Sequence, residues 1–314
     1  MFNYLLFVAG FFFLIKGADL LIKGASAISK KYKISEITIG MSVVALGTSL
    51  PELVVNIFAS INGEHDLIIG NIAGSNIANT FLVLGVGALF ATLYFSVNTQ
   101  RIDIPYSLLS VFSLLFFIFL TFFIFGDLVL SKFSGIIFLL LFGLYLKIIF
   151  TRKHDFIEAV ESLKPRTAWL YVLFGSAGLF FGGEFVVDGA VRLSEFFGFS
   201  TMFIGSSLIA FGTALPELVT IIISVKKNKN DLAIGNIVGS NIFNILLVLG
   251  VSSLISPVIF TGEGVLNFLF VALSLLVLMF FILWSKIKCG KYLLNKWHGL
   301  VFLFLYLVYL IIIF

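Results

Sequence analysis

Long apolar runs separated by short polar connections make up most of the chain. Each run holds about 20 residues, which is enough for a helix to cross ~30 Å of hydrocarbon. The pattern predicts an all-α membrane protein with ten transmembrane helices, near residues 3–28, 36–60, 68–94, 104–125, 129–150, 167–192, 201–225, 232–258, 265–284 and 297–314. The run from 104 to 150 could also form one long hairpin, broken at Gly126-Asp127.

Two polar motifs interrupt these runs, and each motif occurs twice. Segment 47–52 reads GTSLPE and recurs 165 residues later, at 212–217, as GTALPE. Segment 70–79 reads GNIAGSNIAN and recurs at the same offset, at 235–244, as GNIVGSNIFN. Chance similarity between apolar runs would share Leu and Val rather than this placement of Gly, Ser, Asn, Pro and Glu. The repeat predicts two five-helix halves joined by a linker, at 1–150, 151–166 and 167–314, with the motifs inside 40–86 and 205–251.

Basic residues are distributed unevenly among the connections. Three lysines follow the first run, whereas the repeat-related connection holds Glu195. Glu64 follows the second run, whereas its counterpart connection holds Lys227 and Lys229. Five helices per half and opposite charges in related connections predict inverted repeats. Since basic connections face the cytoplasm, we expect a cytoplasmic linker and extracytoplasmic termini.

The composition agrees with a chain that lies mostly in lipid. Of its 314 residues, 60% are hydrophobic and 11% are charged, against roughly 25% charged in soluble domains. The net charge of +4 resides in the connections and does not indicate a nucleic-acid partner. Cys289 is the single cysteine, which excludes a disulfide framework and a thiolate metal site. No nucleophile–base set or metal-hydrolase motif is present, so we expect a protein that is not an enzyme.

The first motif places a carboxylate where an anchor helix would avoid one. A charge at the bilayer centre costs at least ~2.5–3.5 kcal/mol, and a proline inside a helix frees a backbone carbonyl. Both features suit a broken helix that holds a cation. We therefore expect Glu52 and Glu217 to face each other in mid-membrane and to bind a cation. Because oxygen is the only ligand type offered, Ca²⁺ or Na⁺ is favoured over zinc or copper.

The second motif adds neutral oxygens. Ser75 and Asn79 lie four residues apart and share a helix face, as do Ser240 and Asn244. A structural role is the alternative: Ser and Asn also join helices, the repeated glycines allow close packing, and a protonated glutamate could merely brace helices. In the first run, Lys16, Asp19 and Lys23 have helical spacing and can pair with one another. Their position fits helix ends whose side chains reach water.

At these two motifs the chain resembles the cation/calcium antiporter superfamily, and it is most similar to the prokaryotic sodium/calcium exchanger branch. The resemblance covers predicted spans 1–3 and 6–8. It implies a ten-span inverted-repeat fold that exchanges cytoplasmic Ca²⁺ for external Na⁺ by alternating access, with spans 1 and 6 sliding as a gate. By this resemblance the transported ions would be Ca²⁺ and Na⁺, and the protein would lie in the lipid bilayer of a prokaryotic inner membrane. No cofactor and no obligate protein partner is expected.

The resemblance also assigns roles to individual residues. Glu52 and Glu217 would be bidentate Ca²⁺ ligands, with backbone oxygens from Thr48 and Thr213. The flanking Na⁺ sites would be lined by Ala45, Ser49, Ser75, Ala210, Thr213 and Ser240. The centre of the site would be occupied by Asn79 and Asn244. 

Two positions depart from the family pattern, and two other functions stay open. Ala214 stands where the first half has Ser49, so one hydroxyl ligand is missing. Asn244 stands where potassium-dependent members have an acid, which argues against K⁺ dependence. The chain could also be a Ca²⁺/H⁺ exchanger whose two glutamates carry protons. A cation channel is a third hypothesis for the function, because inverted repeats with carboxylates at the bilayer midplane also occur in channels.

Overall fold

The computed structural model describes residues 2–152, 163–196 and 210–313. Within these ranges the chain forms twelve helices: α1 Phe2–Tyr32, α2 Glu36–Thr48, α3 Leu50–Asn62, α4 His65–Phe90, α5 Thr99–Phe125, α6 Lys132–Thr151, α7 Pro165–Phe196, α8 Ala210–Thr213, α9 Leu215–Lys226, α10 Asn230–Ile255, α11 Gly262–Cys289 and α12 Lys296–Ile313. Four two-residue strands lie in the connections: β1 Leu93–Tyr94, β2 Val129–Leu130, β3 Val258–Ile259 and β4 Leu293–Leu294.

Most of the long helices are suited to lipid. Among the described residues, α4, α5, α6, α7, α10 and α11 are long and apolar enough to cross a membrane, and α2 with α3 forms a bent seventh candidate. Helix α12 is apolar but shorter. Helix α1 has 31 residues, roughly 46 Å at 1.5 Å per residue, and carries three charges in its middle. The predicted span 201–225 begins outside the described residues and continues as α8 and α9.

Predicted and observed helix ends differ where the chain turns into a strand. Helix α4 begins at His65 and ends at Phe90, although the hydropathy placed the run at 68–94. Ala91 has extended backbone angles (φ −156°, ψ 159°), and the chain enters β1 directly afterwards. Hydropathy does not distinguish an apolar strand from the apolar helix that precedes it.

The break between α2 and α3 lies at Ser49, where the helix axis turns by 50°. Pro51 is in the first turn of α3, so the N–H that would bond the carbonyl of Gly47 is missing. Pro216 occupies the same place in the first turn of α9. Both broken positions therefore coincide with the GT(S/A)LPE motif.

The bounds of the elements recur along the chain. Two π-helical segments, Ala78–Val83 in α4 and Phe243–Val248 in α10, begin 165 residues apart, and so do β1 and β3. Strands β2 and β4 begin 164 residues apart, as do α6 and α12. The correspondence of elements thus extends beyond the two motifs to helices that share only their hydropathy in sequence.

The four strands form two antiparallel pairs, β1 with β4 and β2 with β3. Leu93 lies opposite Leu294, and Val258 lies opposite Leu130. Since β1 corresponds to β3 and β2 to β4, exchanging the two halves converts one pair into the other with the register kept. Each half of the chain therefore contributes one strand to each of the two pairs.

Helices α1 and α7 touch through their backbones. A Cβ atom added to Gly17 would lie 2.8 Å from the carbonyl oxygen of Gly175, and one added to Gly175 would lie 2.5 Å from the N atom of Leu21. Such distances leave no room for a methyl group, and glycine is what permits this approach. At these glycines the backbones of the two helices are in direct contact, and buried leucines of both helices pack beside them.

Two hydrophobic clusters surround the broken helices. The larger one joins α4, α5, α6, α10, α11 and α12, and the smaller one joins α1 and α7 with parts of α2 and α9. Ala214 belongs to the larger cluster and the next residue, Leu215, to the smaller one. The break before α9 therefore lies at the boundary between the clusters.

Candidate functional site

Both glutamates of the repeated motif lie in the first turn of a helix, directly after a break. Glu52 is the third residue of α3 and Glu217 the third residue of α9, and both side chains are fully buried. The first turn of a helix carries unpaired N–H groups and a partial positive charge, which favours an anion there. Ser49, the residue between α2 and α3, lies 3.4 Å from Glu217, which brings the first turns of α3 and α9 close together. That the two carboxylates face each other in mid-membrane stays a prediction.

Hydroxyl groups surround the Glu217 carboxylate. Ser49 Oγ and Ser240 Oγ each lie 3.4 Å from Glu217 Oε1. Thr48 Oγ1 is 3.4 Å from Ser240 Oγ in turn. Three helices, α2, α9 and α10, thus bring their oxygens together around one carboxylate, and α2 comes from the other half of the chain.

The surroundings of Glu52 are similar but have fewer hydroxyls. Ser75 Oγ lies 3.4 Å from Thr213 Oγ1, the repeat equivalent of the contact between Thr48 and Ser240. Ser75 is the repeat equivalent of Ser240, yet neither carboxylate oxygen of Glu52 has a hydrogen-bond partner of good geometry among the described residues.

The recurring separation of 3.4 Å has a physical meaning. Hydrogen bonds between oxygens are normally 2.5–3.0 Å long, so these contacts are weak as hydrogen bonds. Oxygens that bind a Ca²⁺ ion at 2.3–2.6 Å and at right angles are roughly 3.3–3.7 Å apart. The 3.4 Å separations around Glu217 therefore fall within the range of oxygens that share one Ca²⁺ ion.

The two central asparagines carry unsatisfied amides. Asn79 and Asn244 lie in the π-helical segments of α4 and α10 and are almost completely buried. Neither the amide nitrogen nor the amide oxygen of either residue has a partner within the described ranges. A buried polar group without a partner costs ~1–3 kcal/mol, so these two amides are candidates for binding an ion or a water molecule. Wide π-turns of this kind occur frequently at functional sites.

Sequence reasoning missed one polar side chain of this cluster. Asn236 is fully buried, and its Oδ1 accepts a hydrogen bond of 3.0 Å from Thr48 Oγ1. The carbonyl of Ala45 lies 3.3 Å from the same hydroxyl, so Thr48 has two acceptors. The signal was available, because Asn236 belongs to the repeated GN dipeptide together with Asn71.

In the second motif, the glycines of the second copy bring helices into contact, whereas a Cβ on Gly70 or Gly74 of the first copy would meet no described atom within 4 Å, so the packing prediction was wrong for those two. A Cβ on Gly235 would lie 2.5 Å from the carbonyl oxygen of Ile37, and one on Gly239 would lie 2.7 Å from Met41 Cα. For these two residues, the expected packing role is confirmed. Ala210 opens the short helix α8, whose preceding residues, 197–209, lie outside the described ranges.

Charged side chains away from this cluster form ion pairs between helices. Lys227 contacts Asp19 of α1, and Lys229 contacts Glu36 of α2. Asp19 also pairs with Lys23 at 2.8 Å within α1, which confirms that the charges of this helix can pair internally. The bridge to Lys227 was not foreseen, because nothing in the sequence brings positions 19 and 227 together.

A third pair joins the beginning of α5 to the end of α6. Arg152 donates to both carboxylate oxygens of Asp103, at 2.6 and 3.0 Å. The side chain of Asp103 is fully buried and that of Arg152 is 9% exposed. A bidentate, charge-assisted contact of this kind is among the strongest polar interactions in proteins.

Comparison with known proteins places this arrangement in a family. The family model described as "Sodium/calcium exchanger protein" matches residues 2–151 and 167–314. The putative antiporter CaxA of Alkalimonas amylolytica is 34% identical, with 98% of this chain and 97% of that protein covered. The sodium/calcium exchanger MaX1 of Methanosarcina acetivorans is 31% identical, with 99% and 98% covered.

A solved structure gives the same result for the fold. The sodium-calcium exchanger NCX_Mj superposes with a TM-score of 0.82 at 30% sequence identity, and the match covers 98% of this chain and 97% of that one. The similarity thus extends over both halves and over the helices outside the two motifs. The chain belongs to the sodium/calcium exchanger protein family, in the prokaryotic branch of the cation/calcium antiporters.

Proposed function

We propose that the chain exchanges Ca²⁺ for Na⁺ across the membrane by alternating access, with Glu52 and Glu217 as the central ion ligands. One observation carries this proposal: two fully buried carboxylates lie in the first turns of two broken helices that meet where Ser49 Oγ is 3.4 Å from Glu217 Oε1, while the salt bridges found among the described residues lie elsewhere. Uncompensated carboxylates are not stable in a dry interior. A cation between them supplies the missing charge.

The oxygens around the glutamates complete the proposed binding site. Ca²⁺ takes six to eight oxygen ligands in flexible geometry, and Thr48 and Thr213 would add backbone oxygens to the carboxylates. The flanking Na⁺ positions would be lined by Ser49, Ser75 and Ser240, by Thr213 and by the segments at Ala45 and Ala210. Asn79 and Asn244 would face the centre. Their unpaired amides support this placement.

Competition for charge couples the two ions. The two glutamates supply about −2, which one Ca²⁺ or several Na⁺ neutralise, but not both together. An occupied site can close and reopen on the other side, whereas an empty site keeps two repelling carboxylates. We therefore expect negligible Ca²⁺ flux in vesicles when no exchangeable ion is present on the opposite side. Rapid uncoupled leak of Ca²⁺ would contradict this mechanism.

The proposed architecture is ten spans in two inverted repeats, with residues 1–150 and 167–314 as the halves and 151–166 as a cytoplasmic linker. The recurrence of element bounds and the exchange of the two strand pairs support a two-fold relation between the halves. The basic connections support an inner-membrane protein with both termini outside. Helices α1 and α7 would slide as the gate, and the direct backbone contact at their glycines is suited to sliding.

The test is Na⁺-gradient-driven ⁴⁵Ca²⁺ uptake by the purified protein in liposomes. Glu52→Gln and Glu217→Gln should each abolish exchange, because each removes half of the central charge. Glu263→Gln changes an exposed glutamate at the start of α11 and should leave the rate unchanged. Substantial uptake by either central variant would refute the assigned roles.

Ca²⁺/H⁺ exchange is the second candidate, since buried carboxylates without a basic partner are also stable when they bind protons. Uptake driven by a pH gradient in the absence of Na⁺ would favour this function. Currents far above the turnover of a carrier would instead indicate a cation channel.

A further inference from the structure

The two halves of the proposed site differ at a single hydroxyl. The contact of Thr48 with Ser240 has an equivalent in the contact of Thr213 with Ser75, and both distances are 3.4 Å. The contact of Ser49 with Glu217 has no equivalent, because the corresponding residue is Ala214.

Nothing else among the described residues replaces the missing group. Ala214 is 1% exposed and Ser49 is 2% exposed, so the two positions are equally buried. Glu217 has two hydroxyl oxygens at 3.4 Å, whereas both oxygens of Glu52 lack a hydrogen-bond partner within the described ranges. By the repeat correspondence, Ala214 holds on the Glu52 side the position that Ser49 holds beside Glu217, without the hydroxyl group.

We propose that Ala214 determines how strongly Na⁺ competes with Ca²⁺, because it leaves the monovalent-cation position beside Glu52 one ligand short. This inference rests on the proposed function and adds a specificity-determining residue to it. A monovalent ion depends on neutral oxygens as well as on one carboxylate, whereas Ca²⁺ is attracted by both carboxylates and gains twice the Coulomb energy from each. The loss of one neutral oxygen therefore weakens Na⁺ binding more than Ca²⁺ binding. The two flanking positions are then unequal in this chain.

The direct test adds the hydroxyl. Ala214→Ser should lower the Na⁺ concentration that displaces half of the bound ⁴⁵Ca²⁺ by about tenfold, the change that one added ligand of ~1.4 kcal/mol would produce, and should make the Na⁺ dependence steeper. Ser49→Ala should shift the dependence in the opposite direction, since it removes the corresponding ligand from the Glu217 side. Ala272→Ser adds a hydroxyl at a buried alanine of α11 and serves as the matched control. It should leave the Na⁺ dependence unchanged.

Two readouts separate the failure of this inference from the failure of the proposed function. Displacement of ⁴⁵Ca²⁺ by Na⁺ and thermal stabilisation by Na⁺ are both measured on purified protein, and both report binding without transport. If Na⁺ gradients fail to drive uptake but Ala214→Ser still strengthens Na⁺ binding, the function is wrong and the role of Ala214 stands. If Ala214→Ser behaves like Ala272→Ser, the inference is refuted. Should Ala214→Ser fail to fold, an unchanged Na⁺ dependence in Ser49→Ala would refute it instead.

Discussion

Replacing Lys227 with alanine should release α1 from the connection between α9 and α10. Lys227 contacts Asp19, and this ion pair links the proposed sliding helix to the part of the protein that carries Glu217. The repeat equivalents of Asp19 and Lys227 are Glu184 and Asn62, which cannot form such a pair. We therefore expect the bridge to stabilise only one of the two alternating conformations, the one with its cytoplasmic side closed.

The size of the effect follows from the exposure of the pair. The side chains of Asp19 and Lys227 are 26% and 32% exposed, so water screens their attraction. Partly exposed ion pairs contribute up to ~1 kcal/mol, which corresponds to about a fivefold change in a conformational equilibrium. Lys227→Ala should raise the population of the conformation open to the cytoplasm by up to this factor.

Cysteine accessibility measures this population. Val219 packs against the smaller hydrophobic cluster, which includes residues of α1, so Val219→Cys in a Cys289→Ser background reports when α1 moves away. A maleimide that cannot cross the membrane, applied from the cytoplasmic side, should label this cysteine up to fivefold faster in the Lys227→Ala variant. Lys23→Ala is the matched control, because Lys23 pairs with the same Asp19 but lies on the same helix.

Two results would refute this reasoning. Equal labelling rates in Lys227→Ala and in Lys23→Ala would show that the bridge has no specific effect on the conformation. The exchanged pair, Asp19→Lys with Lys227→Asp, should restore slow labelling, and failure to do so would show that the effect of Lys227 is not electrostatic.

Two further predictions concern packing and stability. Gly175→Ala should reduce transport and lower the midpoint of thermal unfolding, since the added methyl group meets the backbone of α1 at a cost of ~1–3 kcal/mol. The control is Gly143→Ala, whose added Cβ would meet nothing within 4 Å among the described residues. Equal behaviour of the two variants would contradict the close backbone contact between α1 and α7. Asp103→Asn should destabilise the protein by ~3–5 kcal/mol, because it leaves the guanidinium of Arg152 without its charge partner. Denaturation in detergent measures this loss against the exposed-residue control Arg101→Ala, and a loss no larger than the control's would show that the pair is unimportant.

The sequence predicted the features that depend on local chemistry. The repeated prolines located both helix breaks, since a proline removes one backbone N–H and crowds the carbonyl four residues earlier. Proline alone does not suffice, because Pro105 lies within the continuous helix α5. The hydropathy of about 20-residue runs located most helices to within a few residues. The repeat offset also indicated which residues of the two halves have equivalent surroundings.

Features that depend on folding across the chain were not predictable. The pairing of Lys227 with Asp19 and that of Arg152 with Asp103 join positions with no shared sequence pattern. Asn236 lies in the oxygen cluster through the approach of α10 to α2, which follows from tertiary packing. The two-residue strands were also missed, because apolar residues in an extended connection have the same hydropathy as those in a helix.

The two strand pairs constrain when the molecule can assemble. Leu93 pairs with Leu294, so the first half of the chain cannot complete this contact until nearly all of the second half has been synthesised and inserted. Contacts between such distant positions form slowly, because the intervening chain must first be ordered. During biosynthesis, helices α1 to α6 must therefore wait in the membrane with β1 and β2 unpaired. This delayed closure makes the newly inserted first half the stage most exposed to misassembly and degradation.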